Sequence, residues 1–141
     1  MNFDKLSLIK KVRLGGGGKT ERHYYDYLIN DRLLSEIIEI GDQIGVFGGF
    51  GEKDDRTHFN ELLSKKKSEL KSGRVPIYIC PECGDLGCGC ISIEIIKTNE
   101  GFIWKSFGFE NNYENGIAES YDIGEFFFNK TQYYEELKKI T

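Results

Sequence analysis

The chain is expected to adopt an α+β fold, a single antiparallel β-sheet with two or three helices packed on it. Short stretches rich in β-branched and aromatic residues alternate with glycine and asparagine turns, which is the pattern of paired strands. A few other segments place apolar residues at helical spacing instead. No repeat, low-complexity tract or linker divides the chain, so residues 1–141 read as one domain.

The first strand is expected over 4–14, where Leu6, Leu8 and Ile9 sit among lysines, and Gly15 to Gly18 break it. A second strand covers 21–29 and ends at the turn signal Asn30-Asp31. Leu33, Leu34, Ile37 and Ile38 share one face of a short helix over 33–40. Residues 41–53, with five glycines, read as a loop. Asp54 or Asp55 then caps a helix over about 55–70, with Lys65, Lys66 and Lys67 opposing the dipole in its later turns and Ser72-Gly73 as its stop. Val75 to Cys80 is a short apolar strand. Ile91, Ile93 and Ile95 alternate along the next, 90–97. Asn99-Glu100-Gly101 is a hairpin turn into a return strand over 102–109, with Phe102, Trp104 and Ser106 on one face. Residues 110–124 read as an ordered loop and 125–128 as a last strand. Asn129 caps the C-terminal helix, Gln132 completes a capping box, and Tyr133, Leu137 and Ile140 face the core.

The net charge of -4 and a pI near 5.3 argue against a nucleic-acid binder, which needs a clustered basic face to displace phosphate counterions. No stretch approaches the roughly 20 apolar residues of a membrane span. The opening residues form no signal peptide, so a cytoplasmic location with reduced thiols is expected.

Two motifs invite a chemical reading. Gly15-Gly16-Gly17-Gly18-Lys19-Thr20 looks like the end of a phosphate-binding loop, but Arg13 stands where the leading glycine belongs, and a flexible connection between strands explains it equally. Cys80-Pro81-Glu82-Cys83 is a knuckle, and Cys88-Gly89-Cys90 follows it. Four thiolates within eleven residues could enclose one zinc ion, although the gap between the pairs is short and the second half is C-x-C. A three-cysteine site completed by His58, a redox pair and a reduced structural turn are the other readings. His23 and His58 lie in no motif that supplies a nucleophile, and no carboxylate pair stands out, so an enzyme is not expected.

Charge distribution is more informative. Residues 106–129 contain Glu110, Glu114, Glu119, Asp122 and Glu125, with no Lys or Arg, interleaved with Phe107, Phe109, Tyr113, Tyr121, Phe126, Phe127 and Phe128. Acids among rings suit a basic protein partner, the charges speeding encounter and the rings supplying contact energy. The alternative is that the rings are core and the acids merely solvated.

Residues 74–113 resemble a family of small, mostly uncharacterised bacterial proteins. The resemblance rests on Arg74-Val75, the run from Tyr78 to Gly89 (Tyr-Ile-Cys-Pro-Glu-Cys-Gly-Asp-Leu-Gly-Cys-Gly), Trp104, Phe107-Gly108 and Asn111-Asn112-Tyr113. A weaker tail match is Phe126, Phe128-Asn129 and Tyr133. Some similar proteins carry an oxidoreductase label, and many have Ala where this chain has Cys90, so the family pattern supplies three of the four cysteines. In size and composition the chain also resembles immunity proteins of bacterial contact-dependent and other polymorphic toxin systems. That likeness implies neutralisation of a cognate toxin, a nuclease domain being the natural basic partner. The expected contacts are Glu110, Tyr113, Glu114, Glu119, Tyr121 and Asp122. A zinc-binding regulatory or scaffold domain using Cys80, Cys83, Cys88 and Cys90 is the alternative, and a thiol oxidoreductase the third.

Overall fold

The computed structural model describes residues 2–84, 86–111 and 117–140. Strands β1 (Leu6–Arg13), β2 (Arg22–Ile29) and β3 (Arg32–Leu33) form an antiparallel sheet in that order. Asn30 and Asp31 both take positive φ, 53° and 66°, as a two-residue hairpin with the right-handed twist of its strands requires. The glycine run closes the β1–β2 hairpin in the same way. Gly16 and Lys19 exchange two backbone hydrogen bonds of 3.0 Å across Gly17 and Gly18. Thr20 then leads into a strand, not a helix, so the phosphate-loop reading lacks its helix N-terminus.

Helix α1 (Leu34–Ile38), β4 (Ile44–Gly45) and α2 (Glu52–Leu62) follow. A second antiparallel sheet runs β4, β5 (Val75–Ile79), β6 (Cys90–Lys97), β7 (Gly101–Glu110) and β8 (Glu119–Ser120). β9 (Phe126–Asn129) pairs with β7 beside its Gly101–Trp104 stretch, and α3 (Lys130–Leu137) leads directly out of it.

The class is therefore α+β with antiparallel pairing and three helices, but the expected single sheet is two, of three and six strands. Individual links join them. Tyr25 N–H donates to Phe47 O at 3.0 Å, and Asp4 N–H donates to Phe127 O at 2.8 Å. The two sheets thus meet along both sides of a shared core without a continuous ladder. Gly45 marks one close approach: a Cβ there would sit 2.0 Å from the Tyr25 carbonyl oxygen.

The predicted loops at 41–53 and 110–124 each hide a two-residue strand, β4 and β8, too short for an alternation to show. The helix expected over 55–70 runs instead over Glu52–Leu62. Gly51 is its N-cap and Asp54 and Asp55 lie in its first turn, while Ser64 at φ 57° ends it before the three lysines. Ser106 does not share the face of Phe102 and Trp104. A bulge opposite Ser92–Glu94 puts Ser106 at φ 56° and exposed, and Phe107 takes the inward place.

Trp104 is central to the core. Its ring meets Tyr27, Phe128 and Tyr133 edge-on at 5.7, 5.2 and 6.2 Å. Every polar tip buried here is satisfied: Trp104 Nε1 donates to Tyr133 OH, which donates to Leu62 O, and Tyr27 OH donates to Ile77 O. α3 covers the edge of β1. Gln132 bonds both the N–H and the carbonyl of Leu6, and Glu136 accepts from Leu8 N–H. Gln132 is therefore engaged with a strand, while Asn129 alone caps the helix, accepting from Thr131 and Gln132 N–H.

Candidate functional site

The acidic stretch splits in two. Phe107 and Phe128 are core residues, and Phe109, Phe126 and Phe127 are half-buried. Glu110 is buried too. It faces Arg74 Nε at 3.4 Å and accepts from the hydroxyls of Ser72 and Ser92. Its placement removes it from the expected contact surface, because a carboxylate paired inside with a guanidinium offers no free charge to a partner. Arg74 also reaches Ser92 O and Ser106 O, so it fastens the bulge in β7. Burial lowers the Arg74 pKa against the opposing pull of Glu110.

The remaining acids stay outside. Glu119, Asp122 and Glu125 are exposed and form no ion pair among the described residues. They lie along β8 and the segment after it. The segment is pinned by Ala118 N–H to Phe109 O (2.8 Å) and Tyr121 N–H to Phe107 O (2.9 Å). Tyr121 and Ile123 pack on the core from this segment. Burial, with the Glu119 charge added, raises the Tyr121 hydroxyl pKa. Tyr113 and Glu114, also expected contacts, lie outside the described residues.

Among the described residues the cysteines form no cluster of three or more. Cys83 and Cys88 are exposed, Cys80 is half-buried, and Cys90 is sealed in the core at the start of β6; all four are free thiols. Burial foremost, and then Glu110, pushes the Cys90 thiol up to about 12. Among the described residues no three Cys, His, Asp or Glu side chains gather closely enough for a metal ion. Cys90, the fourth ligand in the zinc reading, lies in the core while Cys83 and Cys88 face solvent. Nor does His58 complete a three-cysteine site among the described residues. His58 Nδ1 instead sits 2.9 Å from the buried Glu61, whose other oxygen accepts from Glu69 N–H.

The structure does bring the two sequence motifs together, by an unexpected route. Glu82, inside the Cys80–Cys83 knuckle, accepts from Thr20 N–H (2.8 Å), Thr20 Oγ1 (2.9 Å) and Arg13 Nη1 (2.5 Å). Arg13 is nearly buried and also forms a two-pronged pair with Asp42 at 3.1 and 3.0 Å. Thr20 N–H first, then Arg13, hold the Glu82 carboxyl down at about 2. Arg13 lowers the Asp42 pKa as well. Next to this clamp, Arg22 donates to Pro81 O and Gly49 O and lies 4.5 Å over the Phe50 ring. Phe50 leaves no room at Gly84, where a Cβ would meet the ring at 2.7 Å. The cysteine loop is thus docked on the β1–β2 hairpin.

No sequence pattern points to the ion-pairing roles of Arg13, Glu82 and Arg74 or to the buried hydrogen-bonding role of Asp26. Asp26 is fully buried, accepting from Tyr78 OH, Ser35 Oγ, Tyr27 N–H and Lys11 Nζ. Apart from the neighbouring Tyr27 N–H, these partners lie 9, 15 and 52 positions away, so local spacing carries no sign of the pairing. Comparisons with family models, with curated proteins and with solved structures return no match for this chain.

Proposed function

We propose that the protein is a cytoplasmic immunity-type binder that neutralises a cognate bacterial toxin by lying against its basic surface. One observation carries this reading: Glu119, Asp122 and Glu125 stand exposed, with no ion-pair cation among the described residues, on a segment that Tyr121 and Ile123 anchor to the core. An anchored strip of like charge spends little conformational entropy on meeting a partner, and its field accelerates encounter with a positive surface. A nuclease domain, basic because it holds phosphate, is the partner class that fits. Occlusion needs only an interface of about 1,600 Å², with no bond made or broken.

The test pairs growth protection against a co-encoded toxin domain with association kinetics on the purified pair. Charge reversal in Glu119→Lys/Asp122→Lys should slow association by about ten-fold or more and make protection salt-sensitive. Unchanged association in that variant would show that the contact surface lies elsewhere.

A further inference from the structure

A second charged feature lies at the opposite end of β7, where the β6–β7 turn meets the start of α3. A cleft of about 430 Å³ opens there between Leu63, Lys65, Lys97, Phe102, Lys130 and Tyr134. The lysines come from three places: just past the end of α2, the last residue of β6 and the first of α3. None is in an ion pair among the described residues, and no carboxylate lines the cleft. In a chain of net charge -4, three unneutralised ammonium groups around one depression run against the overall balance. Lys65 alone could be explained by the carbonyls at the end of α2. Lys97 and Lys130 have no such account.

The backbone under these lysines is held by hydrogen bonds and a close approach. Thr98 Oγ1 accepts from Glu100 and Gly101 N–H, and Lys130 N–H donates to Glu100 O at 3.0 Å. Gly101 cannot carry a side chain, because a Cβ would lie 1.8 Å from Phe128 O. The amides at the start of α3 are already taken by Asn129 and Glu100, so positive charge in the cleft comes from side chains. The wall is apolar: Leu63 and Phe102 are buried behind it, and Tyr134, 39% exposed and with its ring 6.2 Å from that of Phe59, stands beside them.

We propose that this cleft binds a small aromatic phosphate, the phosphate held by Lys65, Lys97 and Lys130 and the ring laid against Tyr134 over Phe102. Separate ammonium groups suit an anion with several oxygens and a charge near -2, which a phosphate monoester provides. The volume falls within the range of small-molecule sites, and an exposed ring beside cations suits a flat ring on the ligand.

Amide chemical-shift titration of the full chain with phenyl phosphate, and separately with inorganic phosphate, tests this. Saturable shifts should cluster at 63–65, 97–102 and 130–134, with phenyl phosphate binding more tightly than inorganic phosphate. The Lys97→Ala/Lys130→Ala variant should raise the Kd by about ten-fold or more, with its thermal midpoint unchanged because both side chains are exposed. Tyr134→Ala should abolish the preference for the aromatic ester. If the double variant does not fold, Lys97→Gln and Lys130→Gln serve singly. Shifts spread equally over Lys10, Lys19 and Lys53, a lack of saturation, or wild-type affinity in the lysine variants would overturn the site.

Discussion

Glu110 and Arg74 show what burial does to a charge. Both side chains are about nine-tenths shielded, and each satisfies the other along with Ser72 and Ser92. Removing one partner strands the other inside, so Glu110→Ala should lose about 3–5 kcal/mol of stability, read as a lower midpoint in urea. An exposed acid such as Glu119 should change stability by less than about 0.5 kcal/mol on the same substitution. Cys90 obeys the same rule as a thiol. With its pKa near 12 it carries almost no thiolate at pH 8. Maleimide labelling of the native protein, followed by mass mapping, should therefore mark Cys83 and Cys88 while sparing Cys90. Rapid native modification of Cys90 would contradict its burial.

At the scale of the element, α3 does the work of a neighbouring strand. Gln132 presents an amide to Leu6 as a strand backbone would, and Glu136 takes Leu8 N–H, so the edge of β1 is covered along its first half. Gln132→Ala should cost about 1–3 kcal/mol and speed hydrogen exchange at Leu6, since it leaves two backbone groups without their partner. Asn129→Ala should cost only about 1 kcal/mol, the usual value of an N-cap. The relative size of these losses separates edge coverage from helix capping. Either residue could be noted in the sequence, but only the cap has a local signature. Asn129 sits immediately before a helical pattern, whereas the partner of Gln132 is 126 positions away.

For the whole molecule, the Arg13–Glu82–Asp42 clamp couples the cysteine loop to the first hairpin, and its carboxylates make that coupling depend on pH. Glu82 has its pKa lowered from 4.5 to about 2 on folding, and Asp42 is lowered too. Groups depressed in this way stabilise the fold fully above their unfolded values, and that contribution is lost as pH falls through the folded ones. Stability should thus decline between about pH 4.5 and 2, and Glu82→Gln should flatten this stretch of an acid-denaturation curve. Asp55 works in the opposite sense, since burial raises its pKa and its share is lost as pH rises. A decline of the same steepness in Glu82→Gln would rule the clamp out as a source of acid sensitivity.

Strand and turn positions were readable because alternation, β-branching and Asn-Asp or glycine turns act within a few residues of the backbone they shape. The β1–β2 hairpin, the β6–β7 hairpin and the Asn129 cap all belong to that local class. Which acids remain free does not. Glu110 and Glu119 look alike in the chain, yet Arg74 neutralises one within the interior while the other meets water. The division into two sheets, the two-residue strands β4 and β8 and the Arg13–Glu82 pairing are equally non-local. They depend on contacts between distant segments, whose free energy comes from burial and charge pairing that exist only after the chain has packed.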